Sequence, residues 1–351
     1  MKQCLLAVVL LLLLSSCGTG EEAASPALEP PGPQAAEESE GLRTASLFAM
    51  DTRMELAVCG GGSDLLDRAE ARITGLEALL STTDPDSEIA ALNRNGSGTL
   101  SPEPLELVKT ALALCSETDG ALDLSIYPVV RAWGFTEEQY RVPTDADLSE
   151  LLAHVDYRKI RVEGDRVMLD TGMEIDLGSV AKGFTGDQVL QLFRDSGVNS
   201  ALLNLGGNVQ ALGARPDGTP WRIAVQDPSG SGYLGVLPVE DKAVITSGGY
   251  ERFFEQDGQV YWHIMDPSTG RPARNGLVSV TVVGDRGVYC DALSTALFIM
   301  GEEKAVSFWR DHRDFDLILV TEDSRVLVTP DLSASFRLWE GRTEELEVIA
   351  S

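Results

Sequence analysis

From residue 42 onward the chain is cut into short apolar runs by glycine-bearing turns, and those runs switch between two periods without settling into a regular alternation. Residues 47–58 read as a strand. After the Gly60-Gly61-Gly62 break, Leu66, Ala69, Ile73, Leu76 and Leu80 recur at the spacing of an amphipathic helix, and Leu105, Val108, Leu112 and Cys115 do so again before Gly120. These stripes are core. Between them a turn through Asp84-Pro85 leads into a short helix capped by Asp86 or Ser87. From residue 159 strands dominate, at 160–162, 166–169, 201–205, 221–225, 244–246, 260–265 and 277–283, with a hairpin over 315–320 and 326–329. Helices over 180–195 and 291–300 sit among them. A doubly wound sheet needs repeated strand-helix-strand units, which this order lacks, so the expected fold is α+β: twisted mixed sheets with flanking helices in one large domain over 42–351.

The N-terminus has a different composition. Met1-Lys2-Gln3-Cys4 precedes an unbroken apolar run from Leu5 to Leu14, then Ser15-Ser16-Cys17. A positive start and an apolar core of about ten residues make a signal peptide, too short for a spanning helix. Leu14-Ser15-Ser16-Cys17 also resembles a bacterial lipobox, so residues 1–16 are expected to be removed and Cys17 to carry lipid. Residues 18–41 are rich in Ala, Glu, Pro and Ser and hold no large apolar residue except Leu28. Such a segment cannot bury a core and reads as a flexible tether.

The 55 acidic residues outnumber the 28 basic ones, and a formal charge of −27 argues against binding nucleic acid or docking on anionic lipid. Once Cys4 is cleaved away and Cys17 lipidated, Cys59, Cys115 and Cys290 remain, scattered and matching no zinc pattern. His154, His263 and His312 are the only histidines, so a multi-histidine metal centre is not expected.

Two segments carry the chemistry. Asp291 and Thr295 lie four residues apart on an apolar helix, so both project from one face, and a carboxylate beside a hydroxyl suits a hard cation such as Mg²⁺. The plainer reading is that Asp291 caps that helix. In Asp176-Leu177-Gly178-Ser179-Val180-Ala181-Lys182-Gly183, with Gly186 following, glycines strip side chains from a helix start at about 1 kcal/mol each against alanine. Either a ligand or another element packs closely there. Gly206-Gly207-Asn208 similarly bares backbone at a strand end, as a phosphate cradle or an ordinary tight turn. Trp133-Gly134-Phe135 is a packed corner or an aromatic surface for a flat ring. His263 stands just before an Asp266-Pro267 turn; a lone histidine is commonly a satisfied core residue.

Taken together these residues resemble the ApbE family of bacterial flavin transferases, over about residues 47–320. Its motifs occur in order: Met50-Asp51-Thr52, Ser87-Glu88-Ile89 with Asn93, Asp123 with Trp133-Gly134-Phe135, Asp176 to Gly183 with Asp187, Asn204 with Gly206-Gly207-Asn208, Ser247-Gly248 with Tyr250-Glu251-Arg252, His263 to Gly270, and Asp291 to Leu297. The resemblance implies transfer of FMN from FAD onto a threonine or serine hydroxyl of an acceptor protein, such as a redox-complex subunit, with release of AMP and dependence on Mg²⁺. It implies that Met50, Thr83, Trp133, Gly134, Phe135, Asp176, Lys182 and Met265 line the FAD site. Asp291 and Thr295, with the backbone carbonyl of Ser179, would hold Mg²⁺, and His263 would deprotonate the acceptor hydroxyl. Many members are lipid-anchored on the extracytoplasmic face of the bacterial inner membrane, which matches the lipobox. Three positions depart from the family pattern: Asp51 and Ser179 replace glycines, and Thr83 stands where a tyrosine is common. The alternatives are Mg²⁺-dependent hydrolysis of FAD to FMN and AMP, and a lipid-tethered flavin-binding protein without turnover.

Overall fold

The computed structural model describes residues 41–230 and 232–350. The expected signal peptide, Cys17 and the tether lie outside the described residues.

Nine strands form one large sheet in which spatial order follows chain order: β1 (Leu42–Ala49), β2 (Thr52–Cys59), β3 (Ser200–Leu205), β4 (Asn208–Leu212), β5 (Ala243–Gly248), β6 (Leu277–Gly284), β7 (Asp316–Thr321), β8 (Val326–Val328) and β9 (Leu346–Val348). Neighbours run antiparallel except β8 and β9, which are parallel. The helices enter as insertions. Between β2 and β3 come α1 (Leu65–Leu80), α2 (Glu88–Asn95), α3 (Pro102–Glu117), α4 (Tyr127–Ala132), α5 (Asp145–Leu152) and α6 (Ala181–Asp195), and between β6 and β7 come α7 (Gly287–Met300) and α8 (Glu302–His312). This is the expected α+β arrangement.

Period-two alternation divides the sheet faces. Ile245, Val280, Val282, Leu317 and Leu319 pack with Leu293, Leu297 and Phe298 of α7. Their neighbours Val244, Val283, Ile318 and Val320 turn to the other side, against a three-stranded sheet of Trp221–Gln226, Tyr233–Val239 and Arg337–Leu338 that supplies Trp221, Ile223 and Leu234, with Phe336 just ahead of its last strand. The α1 stripe is buried as expected, Leu66, Ala69 and Ile73 against strands β2 and β3 and helix α6, and Leu76 and Leu80 against α2 and α3.

Three elements differ from the sequence reading. Residues 47–58 are a hairpin, β1 and β2, not one strand. Ala49 pairs with Thr52 across a two-residue turn in which Met50 and Asp51 have φ of 49° and 59°. Both positive φ values are what a type I′ turn requires, and aspartate tolerates the left-handed region better than most residues, so Asp51 fills a glycine position. The expected strand over 260–265 breaks at His263, between Gln259–Trp262 and Met265–Asp266. Helix α7 begins at Gly287, not Asp291. Its first N–H groups are held by Asp187, whose Oδ1 accepts from Gly287 N at 2.6 Å and Oδ2 from Val288 N at 2.9 Å. Asp291 is therefore one turn inside the helix, and the capping reading falls.

Candidate active site

Two helices set the site. Gly183 and Gly186 on α6 and Gly287 on α7 let those helices approach closely: a Cβ at Gly183 would lie 2.3 Å from the Gly287 carbonyl oxygen, and one at Gly186 or Gly287 would lie 2.1 Å from Gln210 Nε2. The glycines thus answer to another element, not to a ligand. That contact brings Asp291 Oδ2 to within 2.8 Å of Gly183 N, which donates to it. A carboxylate from α7 is thereby fixed beside the start of α6, where Ser179 precedes the helix and Lys182 lies in its first turn. Gly206 serves packing as well, since a Cβ there would meet Thr52 Oγ1 at 2.1 Å.

A cleft of about 340 Å³ opens at this junction. Its wall includes the Met50-Asp51 turn, Thr83, Phe135, Asp176, Ser179, Lys182, Ser247, Glu251, Arg252, His263, Met265, Asp291 and Thr295. The structure thus brings together Met50, Thr83, Phe135, Asp176, Ser179, Lys182, His263, Met265, Asp291 and Thr295 from widely separated segments. Trp133 and Gly134 do not line it. The Trp133 ring is fully buried and its Nε1 donates to Gly270 O at 2.7 Å. Gly134 has φ of 85°, and a Cβ there would lie 2.0 Å from Gln139 O, so the residue serves a tight corner. Phe135 reaches the cleft wall but is itself 1% exposed, packed edge-on to His263 with ring centroids 6.3 Å apart. Neither aromatic ring offers an open face for stacking, so the packed-corner reading fits the geometry.

His263 is half-buried, and its Nδ1 lies 3.2 Å from the Arg252 carbonyl oxygen. A carbonyl only accepts, so Nδ1 carries the proton and Nε2 keeps its lone pair. Desolvation in the cleft, reinforced by the charges of Arg252 and Lys182, pushes the imidazole down to about 3, so it is neutral at physiological pH. Arg252 is itself held by the Phe135 carbonyl, which accepts from its Nη2 at 2.7 Å.

The same cleft also carries carboxylates. Burial pushes Asp291 up to about 6, against the pull of Lys182, the Gly183 N–H and the Asn208 side chain. Desolvation likewise raises Glu251 to about 7, with Lys182 drawing it back and Asp291 adding to the rise; Glu251 keeps solvent contact while crowded by the cleft wall. Asp176 is also raised, first by burial, with the N–H groups of Gly178 and Leu177 opposing. Thr295 follows Asp291 by one turn, and its Oγ1 lies 3.3 Å from Ser247 Oγ, which also meets Ser294 Oγ at 2.8 Å. Among the described residues no cluster of three or more His, Cys, Asp or Glu is placed to hold a metal. Asp291, Thr295 and the Ser179 carbonyl make a set of hard oxygens with one carboxylate. A dication beside a buried carboxylate would offset the cost of ionising it, so these residues fit such an ion.

The sequence reading gave no role to Gln210, Glu77 or Arg252. Gln210 Nε2 donates to Gly183 O at 3.0 Å, and Glu77 Oε1 accepts from Met50 N at 2.5 Å, securing the turn at the cleft edge. Arg252 stood in a quoted motif, but only the fold shows its carbonyl orienting His263.

The family model for the ApbE family matches residues 50–319. The chain is 33% identical over 287 residues to the FAD:protein FMN transferase of Treponema pallidum (strain Nichols), covering 76% of this chain and 79% of that relative. It is 36% identical over 252 residues to the protein of the same name from Vibrio cholerae, covering 70% and 75%. The crystal structure of the ApbE protein from Thermotoga maritima superposes with a TM-score of 0.80 at 32% identity, over 84% of this chain and 99% of that one. Flavin transferase ApbE from Vibrio cholerae gives 0.76 at 28% identity, with the same coverage. By sequence, fold and the residues gathered in its cleft, the chain belongs to the ApbE family.

Proposed function

We propose that this protein transfers FMN from FAD onto a threonine or serine hydroxyl of an acceptor protein and releases AMP. The observation that carries this reading is the orientation of His263: its Nδ1 is engaged by the Arg252 carbonyl, leaving Nε2 as a base on the same cleft wall system as Lys182, Asp291 and Thr295. In the transfer, Nε2 takes the hydroxyl proton as the acceptor oxygen bonds to the FMN phosphorus, and the bond from that phosphorus to the bridging oxygen of AMP breaks. The neutral imidazole is the form that can accept this proton, and the negative charge of a bound diphosphate beside Arg252 and Lys182 would raise its basicity toward the operating pH. Lys182 supplies positive charge where the diphosphate gains negative charge.

Asp291, Thr295 and the Ser179 carbonyl would hold Mg²⁺, which supplies charge neutralisation at the diphosphate and leaving group. The family relationship and the hard-oxygen donor set support this assignment. Met50, Thr83, Phe135, Asp176 and Met265 bound the remaining wall and would position the dinucleotide. The lipobox at Cys17 supports lipid anchoring on the extracytoplasmic side of a bacterial membrane, and the family resemblance points to the inner one.

The test is incubation with FAD, Mg²⁺ and an unflavinylated redox-complex subunit, followed by denaturing electrophoresis viewed for flavin fluorescence. A covalent fluorescent band with stoichiometric AMP is expected; free FMN with AMP and no band would show hydrolysis, and unchanged FAD would show binding alone. Asp291→Ala should abolish AMP release with the fold retained, and full activity of that variant in the presence of a chelator would remove Asp291 from the metal site.

A further inference from the structure

Resting on the transfer reading, the geometry points to the ribbon Phe253–Gln256 with Gln259–Trp262 as the surface on which the acceptor protein docks, adding an extended segment to the free edge of Phe253–Gln256. Among the described residues this ribbon is a two-stranded sheet joined to no other strand. A hairpin alone is marginally stable in water, and here one face is secured: Phe254 stacks on Tyr261 and Tyr140, with centroids 5.2 and 5.1 Å apart, and Tyr261 lies 5.3 Å from Trp133. The other face carries Phe253, 51% exposed, and Val260, 40% exposed, two of the few large apolar side chains left open on the described surface. Both stand on one face because Phe253 pairs with Trp262 and Glu255 with Val260.

Register decides which backbone groups are free. Asp257 and Gly258 form the tight turn with φ of 54° and 73°, so Gln256 and Gln259 are a hydrogen-bonded pair. Bonding alternates along an antiparallel ladder, making Phe254 and Tyr261 the next bonded pair and Arg252 and His263 the one after. That last pair is seen directly, His263 N donating to Arg252 O at 3.1 Å. Phe253 and Glu255 therefore point their N–H and C=O groups away from the partner strand, toward the outer edge. The edge of the other strand is occupied, since Arg274 donates to Val260 O and its guanidinium lies 4.2 Å above the Trp262 ring.

The occupant follows from where the ribbon ends. Its base is the Arg252–His263 pair, both of which line the cleft, so a segment laid along the outer edge of Phe253 and Glu255 ends beside Arg252 at the cleft wall, one strand away from the residue that carries Nε2. The acceptor protein is the partner whose chain must reach that atom. Edge addition would hold its backbone, with an apolar side chain lying over Phe253 and Val260.

Two variants outside the cleft test this. Glu255→Pro removes one outward N–H without touching the ladder, and its neighbour is already extended. Phe253→Ser removes the apolar contact. With an unflavinylated, soluble redox-complex subunit as probe, each should raise the acceptor KM by about tenfold or more. FAD affinity, read by flavin fluorescence, and melting temperature should stay at wild-type values. If wild-type protein labels the subunit and both variants keep its KM, the docking edge is wrong while transfer stands. If the variants lose FAD affinity instead, the ribbon belongs to the nucleotide site and the inference is overturned. Failure of wild-type protein to label the subunit overturns the transfer reading and this inference together.

Discussion

Gly183→Ala and Gly75→Ala are the same substitution in two helices, and the structure predicts opposite signs for them. Gly75 lies on the exposed side of α1, where an added Cβ meets nothing within 4 Å. There alanine should stabilise by its helix propensity alone, about 1 kcal/mol. At Gly183 the Cβ would stand 2.3 Å from the Gly287 carbonyl oxygen and 2.7 Å from Asp291 Cβ. The first of those is backbone, which cannot rotate away, and overpacking of this kind costs about 1–3 kcal/mol. Separating the helices also stretches the Gly183 N–H bond to the Asp291 carboxylate, a charge-assisted bond contributing roughly 1.5–3 kcal/mol. After the helix-propensity gain is subtracted, a net loss of about 1.5–5 kcal/mol remains. In a domain of about 300 residues, 1 kcal/mol moves Tm by roughly 1.5 °C, so Gly75→Ala should rise by about that much and Gly183→Ala should fall by about 2–8 °C. Thermal and denaturant unfolding of both variants, with AMP release measured alongside, is the assay. Gly183→Ala should also lose activity, because Asp291 moves with α7. A Gly183→Ala protein as stable and active as Gly75→Ala would refute the view that glycine contact between α6 and α7 builds the site.

Two more outcomes follow from the geometry. His263→Gln should keep FAD binding and lose about 10²-fold or more in single-turnover transfer. Because the folded imidazole is depressed to about 3 while an unfolded one titrates near 6.5, the unfolded chain binds the extra proton between those values. Wild-type stability should therefore fall relative to His263→Gln as pH drops from about 6.5 toward 3, and wild-type kcat/KM, which reports the free protein, should show no acid limb from this group above about pH 4; a limb near pH 6.5 removed by the substitution would contradict the depressed imidazole. Trp133→Phe should cost about 1 kcal/mol or more through loss of the bond to Gly270 O, yet leave the FAD dissociation constant within about twofold, since the ring does not reach the cleft. A large loss of FAD affinity at unchanged stability would return Trp133 to the binding site.

Local pattern was sufficient for much of the fold. The apolar stripe of α1, a cap at Ser87 whose Oγ accepts from Ala90 N at 3.0 Å, and most strands of the central sheet follow from spacing and composition, whereas β4 and β9 were not read and the buried face of α3 runs through Leu107, Val108, Ala111, Leu114 and Cys115, with Leu105 and Leu112 half-buried. So did the pairing of Asp291 with Thr295 on one helix face, because a four-residue offset fixes direction whatever surrounds the helix. Boundaries were harder where a backbone angle, not a side-chain pattern, makes the break. Nothing in the apolar run 47–58 announces positive φ at Met50 and Asp51.

The partners of each residue were decided only by tertiary structure. Asp291 looked like a helix cap until α7 was seen to begin at Gly287, held by Asp187 from a helix about a hundred residues earlier in the chain. Gly183 and Gly186 declared that something comes close, and the fold shows it to be α7 and Gln210, while Gly178 sits against the Asp176 carboxylate at the cleft. Trp133 and Phe135 carried the right chemistry for a flat ring, but burial spends their faces on packing. His263 has its Nδ1 turned to the Arg252 carbonyl across the ribbon, which decides which ring nitrogen keeps its lone pair. Sequence determines which chemical groups and which local periods are present, because these depend on residues a few positions apart. Which face is buried, which oxygen is shared and which lone pair is left free depend on contacts between residues far apart in the chain, and those exist only once the sheet and its two glycine-paired helices have assembled.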